Sequence, residues 1–535
     1  MIENKSRSAS PPAGQLRMAD LLGAFSLASD LAVGLHAGHG TRSCYIGMRI
    51  ARALQLSSEE CVNLYYAELL KDAGCTAYTS QLASFWLTDE IAAKWELQFF
   101  RDPSSPLNVL SWAMQYVAAG MSFPTRATRL LDFMKNGQEF MREGFESTCL
   151  VATRIAQRLG MPEQVQVALM QIFEQWNGKG MPYGTSGQEV PLISRIVLLT
   201  SFLEVYHRLA GREGAQGIAL TRRGKAFDPA VVDAFLSVAD EAEFWKELEG
   251  ENLWETVRAI EPEESPYRYI SEDRLTDSVL AIADYADMKS PFLSGHSRRV
   301  AEVAEGVARR MSLPEPQVVA IFRAALIHDI GIVAVPSFVL NKPRSQLTQA
   351  EWEQVRLHPY HSERILSKVA PLEAILPMVG AHHERIDGHG YPRGLAGIQI
   401  PLGARIIAVA DRFDELSCQT PDHPATGLEE VVELMRQEAG ASLSPEAVQA
   451  LLEDLGGGSV TSRRRTHQPW PRELTDREVE VLRLITRGLS RNHAAKALFV
   501  SEGTIRSHLE HVYSKIGVSN RAAATLFAIE HGLLN

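Results

Sequence analysis

Apolar residues recur at i, i+3, i+4 and i+7 along most of this chain, as in RVAEVAEGVARRM (299–311) and EVEVLRLITRGL (478–489). That spacing lays one apolar stripe along an α-helix. Alternating, strand-like runs are scarce, so the fold class is mainly α. Two breaks interrupt the helical pattern: the acidic EPEESPYRY (261–269) and the glycine-rich, basic LGGGSVTSRRRTHQPWP (455–471). They mark off a helical unit over 19–260, a second over 270–456, a linker over 457–471 and a short C-terminal unit over 472–535. The opening residues 1–18 lack the apolar centre of a signal peptide and read as a disordered tail.

The first two units align with each other at three places in the same order. GHGTRSCYIGMRIARALQLSSEE lies over GHSRRVAEVAEGVARRMSLPEPQ, FEQWNGKGMPYGTSGQEVPLISRIVLL over HHERIDGHGYPRGLAGIQIPLGARIIAV, and AFDPAVVDAFL over ASLSPEAVQALL. This predicts an internal duplication. The offset falls from 257 residues at the first match to 210 at the second, so the first copy carries 47 extra residues, expected within 76–145.

Length and charge refine this division. A chain of 535 residues exceeds what one core usually supports. The longest apolar runs are broken by charges such as Arg195 and Arg405, and with no membrane span expected the chain reads as cytoplasmic. Five cysteines (Cys44, Cys61, Cys75, Cys149, Cys418) form no C-x-x-C pair, against a disulfide framework or a thiolate zinc site. The net charge of -11 hides an asymmetry: residues 463–535 hold twelve Lys/Arg and seven Asp/Glu, net +5, leaving -16 for the rest. A basic end on an acidic body is the electrostatic footprint of a nucleic-acid reader.

The second copy also holds His296, His328, Asp329, His358, His382, His383 and Asp411. Neutral imidazoles and carboxylates suit divalent transition metals, and two close metals suit phosphodiester hydrolysis. In the first copy Lys71 stands for His328, Ile172 and Phe173 for His382 and His383, Asn177 for Asp387, and Ser201 for Asp411. Only His39 and Asp72 remain, too few for a dinuclear centre, and both are expected to be structural.

With GHSRRV, AALIHDIG, LTQAEWEQVRLHP, HHERIDGHGYP and IPLGARIIAVADRFDEL in that order, the second unit resembles the HD-GYP subgroup of the HD superfamily of metal phosphohydrolases. The resemblance implies that the seven residues ligate metal, with iron or manganese usual and His328 and Asp329 at the catalytic centre. It implies cyclic di-GMP or a related cyclic dinucleotide as substrate, with Arg385, Asp387 and Tyr391 at the substrate loop. Three departures qualify the transfer. Ile332 stands where a lysine would neutralise a phosphate, SCQTPDHPA (417–425) replaces an Arg-Pro-Tyr stretch, and Phe292 replaces the glutamate of members with a third metal, so two metals are expected.

The C-terminal segment shows four short helical patterns, a T-D-R-E capping box from Thr475 to Glu478, and Ser501 as a helix N-cap. It resembles the LuxR-type helix-turn-helix domain. This implies a recognition helix from Glu502 to about Ile516, with Gly503, Thr504, Arg506, Ser507 and His508 at the major groove. Arg491 and Lys515 would meet phosphate, and a homodimer would read double-stranded DNA. The whole chain thus reads as tandem helical HD-like domains followed by a four-helix DNA reader. The leading reading is a transcriptional regulator controlled by a metal-bound phosphoester site; the alternatives are a phosphodiesterase with secondary DNA binding and a non-catalytic sensor or dimerisation platform.

Overall fold

A computed structural model describes residues 16–100, 105–456, 470–486, 489 and 491–534. The tail expected over 1–15 and the linker expected over 457–469 lie outside the described residues. Apart from one two-stranded pairing, the described elements are helices. By contact the chain divides into two compact units, 1–278 and 279–535, which part inside the helix Glu272–Asp287.

In the first unit Leu16–Arg17 pairs antiparallel with Tyr269–Ile270, bringing the two ends of the unit together. Leu16, Arg17 and Met18 are buried, and Arg17 forms a buried ion pair with Glu261. Residues 16–18 are therefore ordered structure, a correction to the tail expected over 1–18. Their apolar and charged partners lie some 250 residues away, beyond the reach of a local reading. The extra residues of the first copy form a satellite core in which Trp86, Leu97, Trp112 and Phe133 are buried together, within the span expected from the offset.

Local signals account for the helix starts. Ser57 and Glu60 make a reciprocal capping box at Ser58–Leu70, as Thr348 and Glu351 do at Gln349–Arg356. Gly38 and Gly295 precede His39 and His296 at φ 88° and 72°, a left-handed turn that aims both histidines inward as the first residues of their helices. A Cβ on Gly331 would meet the His358 carbonyl oxygen at 2.2 Å, so only glycine lets the 328–334 turn approach the helix His358–Leu366.

Among the described residues one stretch, Glu315–Ala334, is apolar and long enough to cross a membrane, and 67% of it is buried in the protein. That burial marks a core helix, and the stretch contains His328 and Asp329.

Candidate functional site

All seven predicted metal-type side chains converge in the second unit. His296 opens the helix His296–Arg310, His328 ends Glu315–Ile327, Asp329 precedes the turn Ile330–Ala334, and His358 opens His358–Leu366. His382 and His383 follow the short helix Leu376–Val379, and Asp411 projects from Leu402–Ser417. Asp329 is the hub: its Oδ1 lies 3.0 Å from His358 Nε2, 3.3 Å from His382 Nε2 and 3.5 Å from His328 Nε2, while Oδ2 lies 3.7 Å from His296 Nε2. Asp411 closes the ring, 3.4 Å from His296 Nε2 and 3.8 Å from His383 Nδ1.

The donor atoms fall into two groups able to hold a cation, Asp329 with His358, His382 and His383, and Asp329 with His296 and His328. Asp329 belongs to both, as a bridging carboxylate would. The far nitrogens are anchored. Nδ1 of His328, His358 and His382 donates to the carbonyls of Ala325, Val355 and Val379 at 2.6–2.7 Å, leaving each Nε2 lone pair facing the hub. His296 Nδ1 is held by Asp414 at 2.8 Å, and Asp414 by Arg299 at 2.6 Å.

Three observations test whether such a cluster fits metal ions. His328 Nε2 and Asp329 Oδ1 are buried without a hydrogen-bond partner. His358 Nε2 and His382 Nε2 lie 3.1 Å apart, and with both Nδ1 atoms already donating, two lone pairs face each other unless a cation lies near them. Burial pushes His328 down to about 3 and also lowers His382 and His383, so these imidazoles are neutral, the state a ligand needs. The residues fit.

The cluster opens on one side. His383 is 28% exposed and Asp411 15%, while His328 and His382 are sealed. Beside that mouth Tyr391 stands 4.8 Å from the His383 ring, held by its own N–H to the His383 carbonyl and by Glu384, which accepts the N–H groups of Arg393 and Leu395. Arg385 and Asp387, predicted as substrate contacts, instead pair with each other at 2.6 Å on the surface, and Asp387 accepts the His389 N–H. They shape the loop, and the structure brings Tyr391 of the three to the cluster. Ile332 is buried in the turn after Asp329 and brings no charge.

Sequence reasoning missed four residues. Asp414 and Arg299 position His296, while Trp352 and Arg356 flank Tyr391, 6.1 Å and 5.4 Å from its ring. Trp352 and Arg356 sat inside the quoted stretch LTQAEWEQVRLHP, where an aromatic and a cation just before His358 were the available signal.

The first copy repeats the frame without the chemistry. His39 Nδ1 meets Glu204 at 2.6 Å and Arg42 meets Glu204 at 2.7 Å, matching His296, Arg299 and Asp414. Where His328 would stand, the Lys71 ammonium is buried 3.0 Å from Ser201 Oγ and 3.6 Å from Glu68. A tethered cation occupies the place of donors, and His39 is held by Glu204.

In the C-terminal segment Val481, Ile485, Ala494, Ala495, Ile505 and Leu509 form a separate core. Thr475 and Glu478 make the expected reciprocal cap, and Ser501 Oγ accepts the Thr504 N–H at 3.0 Å to start the helix Glu502–Ile516. Gly503, Thr504, Arg506 and Ser507 are exposed, His508 is half-buried, and Arg491 is exposed at the start of Arg491–Ala497. Lys515 Nζ binds Glu478 at 2.7 Å and the Glu473 carbonyl at 3.0 Å, tying two helices together, so the phosphate contact expected of it would compete with these partners.

Residues 281–446 match the HD domain profile, and 472–528 match the profile for bacterial regulatory proteins of the luxR family. The 3'3'-cGAMP-specific phosphodiesterase 3 of Vibrio cholerae is 32% identical over 434 residues, 81% of this chain and 94% of that protein. The cyclic di-GMP phosphodiesterase response regulator RpfG of Xanthomonas campestris is 35% identical over 185 residues, 34% of this chain and 48% of that protein. A crystal structure of a cyclic GMP-AMP specific phosphodiesterase of V. cholerae (V-cGAP3) superposes with a TM-score of 0.58 at 29% identity, covering 83% of this chain and 98% of that one. The chain belongs to the HD-GYP family of HD-domain phosphodiesterases and carries a C-terminal helix-turn-helix domain of the luxR family.

Proposed function

We propose that the second unit is a two-metal phosphodiesterase acting on a cyclic dinucleotide, and that its state governs the DNA reader that follows it. The observation that carries this reading is the pair of donor groups sharing Asp329, six residues to which Asp411, 3.4 Å from His296, adds the seventh. His296, His328, His358, His382 and His383 would supply nitrogen, Asp329 would bridge, and Asp411 would complete the set. Bound iron or manganese would supply Lewis acidity toward a phosphodiester and a water of lowered pKa. The protein's own part is to hold the imidazoles neutral, to fix their rings through backbone carbonyls and Asp414, and to leave the His383–Asp411 side open to substrate. Tyr391, capping that side, would orient the entering ligand.

The substrate class rests on relatives that are named for 3'3'-cGAMP and cyclic di-GMP. The test loads the full chain with Mn(II) or Fe(II), counts metal by elemental analysis, and assays 3'3'-cGAMP and cyclic di-GMP separately. About two ions per chain and a linear dinucleotide product are expected; a metal-free protein, or one with metals that cleaves no phosphodiester, would overturn the reading.

Regulation is read from the exposed face of Glu502–Ile516 and from the net +5 of residues 463–535. Gly503, Thr504, Arg506 and Ser507 would meet bases, Arg491 a phosphate, and a homodimer would bring two readers to paired half-sites about one helical turn apart. DNA affinity is expected to drop by about 10³-fold or more between 50 and 200 mM salt if the dimer makes 6–10 phosphate contacts. Fluorescence anisotropy with a selected DNA site checks this, and a flat salt response would count against it.

A further inference from the structure

Ile332 and the stretch 417–425 removed two expected phosphate contacts, yet a cyclic dinucleotide has two phosphodiesters and only one can sit at the reacting centre. We propose that Arg356 grips the second, non-reacting phosphate, from a wall that Arg356 forms with Tyr391, Trp352 and Arg344. The inference rests on the cyclic-dinucleotide reading above and names the residue that makes that ligand fit.

The wall is built from the cluster outward. Tyr391 lies 4.8 Å from the His383 ring and 6.4 Å from the His358 ring, on the side where His383 and Asp411 meet solvent. The Arg356 guanidinium stands 5.4 Å from the Tyr391 ring, so these two steps put it within about 10 Å of His383. Its place is set by the chain: Arg356 ends the helix Gln349–Arg356, whose start is locked by the Thr348–Glu351 box, and it comes two residues before His358. Trp352, one turn earlier on that helix, meets Tyr391 edge-on at 6.1 Å.

Arg344 completes the wall, its guanidinium 4.1 Å over the Trp352 ring. Its backbone N–H donates to Asp422 at 2.8 Å. The altered stretch 417–425 therefore anchors an arginine-bearing turn in place of offering an arginine itself.

Charge at the mouth supports the choice of Arg356. Ile332 is apolar and buried, and Arg385 is paired with Asp387. Arg356 meets Glu353 through Nη1 alone at 2.9 Å, an exposed pair that a phosphate can displace. A guanidinium backed by an aromatic face is pre-oriented to donate two parallel N–H bonds to phosphate oxygens. Holding the remote phosphate would spend binding energy on placing the reacting one, as remote contacts do in catalysis.

The test compares Arg356→Gln with the wild-type holoprotein on 3'3'-cGAMP and on bis(p-nitrophenyl) phosphate, a substrate with one phosphodiester. The variant is expected to raise KM for 3'3'-cGAMP about tenfold or more. Its loss in kcat/KM is expected to be at least tenfold greater for 3'3'-cGAMP than for the small substrate, with Arg356→Lys intermediate. Equal losses on both substrates, or no loss on 3'3'-cGAMP, would overturn the inference. So would a wild type that cleaves the small substrate but neither binds nor cleaves 3'3'-cGAMP, a result that leaves the two-metal hydrolase standing. A metal-free protein that cleaves nothing overturns the functional reading instead, and calorimetric binding of 3'3'-cGAMP then decides the wall alone: tenfold weaker binding by the variant supports it, and equal or absent binding overturns it.

Discussion

Asp329→Asn is expected to strip the protein of stably bound metal and reduce phosphodiester hydrolysis to background while leaving it folded. Asp329 is the one side chain common to both donor groups, with one oxygen toward His358, His382 and His328 and the other toward His296. An asparagine keeps the shape but offers one neutral oxygen, and its amide nitrogen cannot ligate. Partners behind a ligand typically cost about 10- to 100-fold in metal affinity or activity when removed. Asp414→Asn, which loosens only the His296 Nδ1 anchor, should fall in that range. Asp329→Asn, which removes a bridge, should exceed it by more than about 100-fold in affinity. Elemental analysis after dialysis and assay of 3'3'-cGAMP turnover measure both; two retained ions in Asp329→Asn would sink the assignment of Asp329 as the hub. Thermal melting against wild type stripped of metal controls for folding, since bound ions would themselves stabilise the wild type, and no large difference is expected between the two.

The seven side chains that converge were legible in the sequence because they fall together in motifs that resemble the HD-GYP family, and because the first copy, lacking most of them, served as an internal contrast. The duplication was legible because three stretches align in one order, and the structure gives both copies one frame: Gly38 and Gly295 precede their histidines in a left-handed turn, and Glu204 and Asp414 each hold one. Tertiary pairings were not legible. Lys515 looked like a phosphate contact because its helix does, yet the fold places Glu478 within 2.7 Å of it. Arg385 reads as a substrate contact in sequence, where its pairing with the near neighbour Asp387 does not show. Arg356 carried no signal alone; it gains meaning only when the loop holding Tyr391 folds back against the helix that ends before His358. Leu16 and Arg17 read as tail because their strand partners lie at 269–270.

Lys71→Met is expected to destabilise the first unit by about 3–5 kcal/mol, the cost of breaking a buried ion pair by removing one partner. Lys71 and Glu68 are both buried, 3.6 Å apart, and Lys71 also donates to Ser201. Without the ammonium, Glu68 keeps one Thr200 hydroxyl at 2.7 Å and no counter-charge among its described contacts. Burial already pushes Glu68 above the ordinary carboxylate range, with Lys71 and Thr200 pulling it back. Removing Lys71 lets it rise further. A carboxyl whose folded value is raised binds more protons folded than unfolded, so its stability is present at low pH and is lost as pH rises through the folded value. The deficit of Lys71→Met against wild type should therefore be largest at neutral and alkaline pH and shrink as pH falls toward the ordinary carboxylate range, and urea unfolding at several pH values measures it. A pH-independent deficit would mean that packing of the lysine stem, and not its charge, is what the site needs. Lys71→His sharpens the point: it restores the residue type of His328, but Ile172, Phe173 and Ser201 still offer no imidazole or carboxylate, so the variant should lose stability and gain no metal. A first copy that gained a stoichiometric metal from that single change would show that the ammonium, and not the missing ligands, had kept the site closed.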